Sequence, residues 1–320
     1  MSRYTFGPVP SRRLGRSLGV NNVPYKHCSY SCIYCQLGRT LVREIERRPF
    51  YPPSEVAKEV VERVSKLRDE IDYVTFVPDG EPTLDSNLGR IAEAVKREVE
   101  VPLAILSNAS LLYRMDVRSD LEVLDLVSLK LDTVLPETWL KVNRPHPELR
   151  LEDITWGLEE FSKHYHGVLL LETMLVRDVN DTVEEAERVV EFLRRVRFSK
   201  LYLAIPTRPP AEPWAKPTSE ERLVAVYQIL SERLGDRVEL LTGYEGPGFM
   251  VSGDPVVSLL NILSVHPMRL DYAYRLLERS GLDAESTVRR LVENGEVKLV
   301  RYREYRFIVR SFPQKPSRAR

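Results

Sequence analysis

Three cysteines are the whole thiol inventory of this 320-residue chain, and they fall within eight residues as Cys28-Ser-Tyr-Ser-Cys32-Ile-Tyr-Cys35. Three thiolates are one short of the four-ligand shell of a structural zinc. They suffice to hold three irons of a cubane and leave the fourth iron open to a small molecule. Two blander readings attach to the same residues. Three buried structural cysteines would need an apolar setting, which Ser29, Tyr30 and Ser31 do not provide, and a zinc completed by His27 asks the neighbour of the first ligand to close a tetrahedron.

Other polar residues are spaced along the chain as if each followed a separate strand. Asp79-Gly80-Glu81-Pro82-Thr83 offers a glycine for close backbone approach and a carboxylate acceptor, although an Asp-Gly turn before a helix is the plain alternative. Ser107 and Asn108 bring hydroxyl and amide groups, and Lys130 and Asp132 bring a cation for a carboxylate and an acceptor for ribose hydroxyls; loop caps or surface ion pairs explain them equally. Glu172 lies inside the apolar run Val168-Leu-Leu-Leu-Glu-Thr-Met-Leu-Val176, so it must be paired, with Lys130 as a partner, or bound to a ligand. Pro206–Pro217 holds five prolines in twelve residues, a stiff fence that would turn Arg208 and Trp214 inward, with Arg208 an anion contact. Arg12, Arg13 and Arg16 are a candidate phosphate grip, and Asn143-Arg-Pro-His146 a loop that would face substrate or simply pack.

The elements that must position these residues alternate. Strands are predicted at Leu18–Val23, Tyr73–Val77, Pro102–Leu106, Leu126–Leu131, Gly167–Leu175, Lys200–Ile205 and Val238–Leu241. Helices are predicted at Ser54–Leu67, with Ser54 as cap, and at Asn87–Glu98, Leu151–Tyr165, Thr182–Val196 and Ser219–Leu234. Largely apolar strands alternating with helices imply an α/β fold with a parallel sheet, open or closed toward a barrel, whose chemistry sits at the strand C-termini. The cysteines, the Asp-Gly-Glu segment, Ser107-Asn108, Lys130 and Asp132, and Arg208 all follow strands in this reading. From about Asp254 the order becomes three helices, Val256–Ser264, Leu270–Ser280 and Ala284–Asn294, then a hairpin of Val297–Tyr302 and Tyr305–Val309. That is the order of a winged helix, and the tail Ser311–Arg320 is predicted to be disordered. The domains expected are 1–250, 251–310 and the tail 311–320.

Charge sums to zero over the chain. It is unevenly spread, with nine Lys/Arg against two Asp/Glu in residues 1–48 and thirteen against seven in residues 261–320, an asymmetry suited to a polyanionic substrate. No apolar run is long enough for a membrane span and the first residues carry no signal-like stretch, so a cytoplasmic chain without membrane contact is expected. Clustered cysteines agree with a reducing compartment.

The cysteine spacing, with Tyr34 before the last cysteine, resembles the radical S-adenosylmethionine (SAM) superfamily. The run Phe6–Val20, Cys35-Gln-Leu-Gly38, the Asp79–Thr83 motif, Arg208-Pro-Pro210 and Tyr244-Glu-Gly246 extend the likeness to an archaeal and bacterial group related to wyosine-synthesis enzymes, over about residues 3–250. The resemblance implies a partial (β/α)6 barrel, a [4Fe-4S] cluster on Cys28, Cys32 and Cys35, and SAM on the fourth iron. It also implies cleavage of SAM to a 5′-deoxyadenosyl radical. The cofactor contacts it suggests are Tyr34, Asp79, Gly80, Glu81, Ser107, Asn108, Lys130, Asp132, Glu172 and Arg208, with Asp79 standing where the superfamily has a glycine.

The function expected is modification of a macromolecule, RNA or tRNA first, with an electron donor such as ferredoxin or flavodoxin as partner. Radical modification of a peptide or protein is the alternative enzyme, and a non-catalytic iron–sulfur DNA-binding redox regulator the alternative outside catalysis. No cysteine remains for a second cluster or for a methylated-cysteine relay, which sets aside the ring-building wyosine reaction and that kind of methyl transfer. Abundant Arg, Glu and loop proline are compatible with a thermophile.

Overall fold

The computed structural model describes residues 3–67, 70–251 and 253–311. Its centre is an eight-stranded sheet. β1 (Thr5–Ser11) lies antiparallel to β2 (Gly15–Val20), and β2 begins a parallel series through β5 (Tyr73–Phe76), β6 (Leu103–Ser107), β7 (Leu126–Lys130), β8 (Val168–Met174), β9 (Lys200–Ala204) and β10 (Val238–Leu241). The short pair β3 (His27–Cys28) and β4 (Val42–Arg43) flanks the cysteine loop. Parallel neighbours need crossovers, and helices supply them: α1 (Pro53–Leu67), α2 (Leu88–Lys96), α3 (Met115–Glu122), α4 (Pro136–Val142) with α5 (Leu151–His164), α6 (Val183–Leu193) and α7 (Glu220–Leu234). The result is six strand–helix crossovers with β10 as a seventh parallel strand, an open α/β barrel of the expected kind.

Local chemistry accounts for the elements. α1 buries Val56, Ala57, Val60, Val64 and Leu67 at spacings of three and four, so one stripe meets the sheet. It begins at Pro53, which puts Ser54 inside the first turn rather than at the cap. The Thr182 and Ser219 side chains accept from the Glu185 and Arg222 backbone N–H groups and start α6 and α7. β1 was invisible to pattern reading because Thr5–Ser11 contains Gly7, Pro8 and Pro10. On an edge strand those residues cost no inner ladder bond, and the register slips between Phe6 and Val9 around them.

The barrel stays open between β1 and β10, and the chain closes it with side chains. Arg12, in the β1–β2 turn, donates to the Leu241 carbonyl at 2.7 Å and the Gly243 carbonyl at 2.5 Å, at the end of β10. Leu14, in the same turn, packs inside the barrel with Ala104, Leu126 and Leu170. Residues after β10 run beside β1, where the Met250 N–H donates to the Pro8 carbonyl at 3.2 Å.

The C-terminal elements are α8 (Pro255–Val265), α9 (Leu270–Arg279), α10 (Ala284–Glu293), β12 (Val297–Tyr302) and β13 (Tyr305–Arg310). A two-residue β11 (Met268–Arg269) adds to them, giving a three-stranded antiparallel sheet in the order β11-β13-β12. Their apolar core includes Phe6 and Val9 of β1 as well as Phe249, so this part shares its packing with the barrel's edge. Arg269 stacks over Tyr305, 3.7 Å from the ring centroid, and over Tyr244, and Tyr302 Oη donates to the Pro206 carbonyl at 3.0 Å. Of the expected tail, residues 312–320 lie outside the described residues.

Candidate functional site

A cavity of about 360 Å³ opens inside the barrel, lined at once by Cys28, Cys32 and Cys35, by strand ends, by the β1–β2 turn and by Val265-His266 of the C-terminal part. Of the ten residues the sequence singles out as cofactor contacts, Tyr34, Gly80, Glu81, Ser107, Asn108, Lys130, Glu172 and Arg208 line it. Asp79 and Asp132 do not. They are buried behind the wall instead.

The cysteine loop is held from behind by the segment that follows α4. Ser31 N–H donates to the Asn143 carbonyl at 3.0 Å, Ile33 N–H to Val142 at 3.0 Å, and His146 N–H to Ser29 at 2.8 Å. The Asn143–His146 run is therefore scaffold to the loop, with His146 outside the cavity lining. Each sulfur has one side-chain N–H donor: Asn108 Nδ2 lies 3.5 Å from Cys28 Sγ, Asn143 Nδ2 3.5 Å from Cys32 Sγ, and Lys26 Nζ 3.4 Å from Cys35 Sγ. Burial pushes the Cys28 thiol well above its ordinary range, with Glu81 adding to the effect, and pushes Cys32 up to about 12, with Asp132 adding. Binding iron would release those protons.

Among the described residues no three His, Cys, Asp or Glu side chains converge on the point a single ion would occupy. A cubane asks for a different geometry, one thiolate on each of three irons, and this donor set fits it: three sulfurs on one loop, facing a cavity, each already met by an N–H group. The zinc alternative through His27 finds no support, because His27 Nδ1 is bound to Glu44 Oε1 at 2.5 Å and its ring packs edge-on against Phe50.

Gly80 and Glu81 sit directly against the cysteine loop. A Cβ at Gly80 would lie 2.0 Å from the His27 carbonyl oxygen, so the close approach that needs glycine is made by the chain's own loop. Glu81 N–H donates to that same carbonyl at 2.9 Å. The buried Glu81 carboxylate accepts at Oε1 from Thr83 N–H (3.1 Å), Thr83 Oγ1 (2.6 Å) and Ser107 Oγ (2.7 Å), and at Oε2 from Asn108 N–H (2.8 Å). A carboxylate oxygen accepts more than one hydrogen bond, and among the described residues Asn108 N–H is the one donor at Oε2. Burial raises the Glu81 pKa, against the pull of these donors.

Behind the wall, Asp132 binds Tyr34 Oη and accepts from Asn143 Nδ2 at 2.7 Å and Met174 N–H at 2.9 Å. It is a brace for the loop and for β8, not a lining group. Asp79 is buried near Lys26 with one carboxylate oxygen lacking a hydrogen-bond partner, and burial raises it to about 6.

The opposite wall is made of ion pairs. Glu172 binds both Lys130 and Arg13, so the expected lysine partner is present and a second cation, from the β1–β2 turn, joins it. Lys130 also stands 5.0 Å from the Tyr34 ring centroid. Burial pulls Arg13 down to about 10, with Arg12 contributing, and lowers Lys130. Arg208 donates to Glu245 Oε2 at 2.6 Å and Gln36 Oε1 at 2.9 Å and lies 2.8 Å from His266 Nε2; Gln36 in turn donates to the Val265 carbonyl at 2.9 Å. Burial raises Glu245, but Arg208 and His266 outweigh it and hold the carboxyl near 2. Burial and Arg208 bring His266 down to about 3.

Two sequence expectations are corrected here. The three N-terminal arginines are not gathered into one phosphate grip: Arg12 seals the barrel seam, Arg13 enters the interior, and Arg16 pairs with Asp72 at 2.8 Å. Trp214 is 46% exposed and outside the cavity lining, while Arg208 of the same segment points in. Lys26 and His266 join or back the site without having been singled out, while Arg13, Asn143 and Glu245, named for a phosphate grip, a loop and a shared motif, back it through contacts the sequence does not specify. Pairing of Arg13 with a buried carboxylate could have been sought from Glu172, whereas Lys26 and His266 carry no local signal.

The family model of the Radical SAM superfamily matches residues 22–193. A UPF0026 protein of Methanocaldococcus jannaschii is 44% identical over 299 residues, covering 93% of this chain and 92% of that protein. Among solved structures, native anSMEcpe with bound AdoMet superposes with a TM-score of 0.52 at 17% identity, covering 70% of this chain and 63% of that one. A radical SAM methyltransferase from Sphaerobacter thermophilus gives a TM-score of 0.50 at 16% identity, covering 71% of this chain and 66% of that one. Both structural likenesses concern the fold, and this chain spans somewhat less than two thirds of each. With the family model covering more than half its length and a full-length relative at 44% identity, the chain belongs to the Radical SAM superfamily, within its UPF0026 group, and is an enzyme of that class.

Proposed function

We propose that Cys28, Cys32 and Cys35 hold a [4Fe-4S] cluster, that SAM lies along the strand ends from Gly80-Glu81 to Lys130, and that the enzyme modifies an RNA base, tRNA being the first candidate. The observation that carries the reading is the single cavity in which the three cysteines face residues from the ends of β6 and β7 and the segment after β5. When bound, the cluster and SAM together supply one-electron cleavage of the S–C5′ bond to a 5′-deoxyadenosyl radical.

The chain's own residues do the rest. Glu81 Oε2 accepts from the SAM amine, Lys130 meets a carboxylate, and the Asn108 amide is shared between Cys28 and Ser29 Oγ. Leu14 fills the barrel interior beside Ala104, Leu126 and Leu170, and Arg12 bridges the β1–β10 seam, so both would limit the entry of water and stray donors from that side. Lys130, Glu172 and Arg13 fix the floor on which a splayed-out base would rest.

The C-terminal elements, read as a winged helix, support the RNA assignment. Arg301 and Arg306 face each other directly across β12 and β13, both exposed and without an ion-pair partner among the described residues. Like charges opposite one another destabilise a hairpin unless an anion joins them, and exposed Arg289, Arg290 and Lys298 lie on the same part of the chain. The resemblance of the sequence motifs to wyosine-synthesis enzymes agrees with tRNA as substrate, and a ferredoxin or flavodoxin would supply the electron.

The test is substrate-stimulated formation of 5′-deoxyadenosine in anaerobic, reduced enzyme. RNA transcripts should raise the rate, and Arg301→Ala with Arg306→Ala should weaken RNA binding and flatten its salt dependence by about one to two units of slope. Stimulation by peptides and none by RNA would overturn the substrate class.

A further inference from the structure

Of the three N–H donors that meet the cysteine sulfurs, two are neutral amides and one is an ammonium. Lys26 is 3% exposed, and its Nζ contacts only the Gly38 carbonyl, at 2.5 Å, and Cys35 Sγ, at 3.4 Å. Among the described residues no carboxylate forms an ion pair with it. Its opposing charge is the buried Asp79 carboxylate, which makes no direct bond to it and keeps one oxygen without a hydrogen-bond partner, and a buried ammonium lacking a direct ion pair is a costly arrangement. Backbone geometry does not call for lysine either: Lys26 has φ +59°, where glycine or asparagine would be less strained. Both costs are explained if a negative charge belongs beside Cys35.

Resting on the cluster site proposed above, we propose that Lys26 sets the reduction potential of the cluster through Cys35, while Asn108 and Asn143 supply the weaker, neutral part of the same device at Cys28 and Cys32. The electron that reduces a cluster adds one negative charge, and hydrogen bonds to the sulfurs together with nearby net charge are what fix such potentials. An ammonium in contact with one thiolate favours the reduced state more than an amide does. Lys26 is thus a positioning and tuning residue. The ammonium is within contact of only one of the three ligands, so the iron on Cys35 is the one whose electron density it favours.

The experiment is an anaerobic redox titration of reconstituted wild type, Lys26→Met and Lys26→Arg, followed by electron paramagnetic resonance. Lys26→Met keeps the aliphatic stem and the backbone strain and removes the charge. It should move the midpoint negative enough to lower the reduced-to-oxidised ratio at the wild-type midpoint about tenfold, which is 59 mV for one electron. Lys26→Arg should stay near wild type. A fully loaded Lys26→Met with the wild-type midpoint would overturn the proposal. A second readout needs no cluster: iron-free Lys26→Met combined with Asp79→Asn, which removes the buried ammonium together with the buried carboxylate near it, should unfold at the same or higher denaturant concentration than iron-free wild type. A clear loss of stability there would make Lys26 a structural clamp on Gly38 and overturn the proposal equally. Failure of wild type to take up iron would instead remove the underlying cluster site.

Discussion

On the cysteine side of the cavity, three sulfurs meet two amides and one ammonium, the Glu81 and Asp132 carboxylates are held by neutral donors, and Asp79 lies buried near Lys26 without a direct ion pair to it. On the side formed by the β1–β2 turn, β8 and the C-terminal part, the contacts are charge to charge: Arg13 and Lys130 on Glu172, and Arg208 on Glu245 beside His266. The first wall has donors awaiting negative charge. The second already carries its own counter-charges, one carboxylate to two cations at Glu172 and one to one at Glu245. The difference also follows the chain: the first wall is assembled mostly from residues 26–35, 79–81 and 107–108, the second from residues hundreds of positions apart.

The sharpest way to break the first wall is to remove a sulfur. Cys32→Ala should abolish iron uptake and the associated visible absorbance, and partial uptake close to wild type would show that the loop is not the ligand set. On the second wall, Glu172→Gln leaves two cations facing a neutral amide. It should cost about 3–5 kcal/mol of unfolding free energy, measured by anaerobic denaturant titration.

Acid should distinguish the walls next. His266 takes a proton only near pH 3 in the folded chain but near 6.5 when unfolded, so its contribution to stability is intact above 6.5 and falls as pH drops from there. Glu245, held near 2 by Arg208 and His266, loses its contribution in a lower window, from about 4.5 down to 2. Between pH 6.5 and 4.5 wild type should lose roughly 2 kcal/mol that His266→Gln does not lose, the groups facing His266 being Arg208 and Glu245. The smallest effect expected is Tyr34→Phe, which removes one hydrogen bond to Asp132 and should cost about 1 kcal/mol, read as a small fall in melting temperature.

Much of the barrel was legible because its strands are apolar on both faces and its helices are amphipathic; the 238–241 strand and the 200 and 126 starts coincide with prediction. α3 and α4 were not, being short and, in α3, mostly polar, so their burial depends on neighbours that local pattern cannot supply. Residues of the first wall could be picked out because function there resides in short motifs. Gly80 shows the limit of that reading: the glycine was found, but its close neighbour is the His27 carbonyl rather than a ligand. Arg13, Glu245 and His266 reach the second wall through tertiary packing alone, and an arginine beside a turn looks the same in sequence whether it points out or in.

The central claim is that the three thiols hold a cluster with an open iron beside a SAM site. Anaerobic reconstitution, reduction and electron paramagnetic resonance with and without SAM, with 5′-deoxyadenosine quantified in parallel, tests it most directly. The account predicts a SAM-dependent change in the spectrum and slow release of 5′-deoxyadenosine. A fully loaded, reduced protein whose spectrum ignores SAM and which forms no 5′-deoxyadenosine would contradict it.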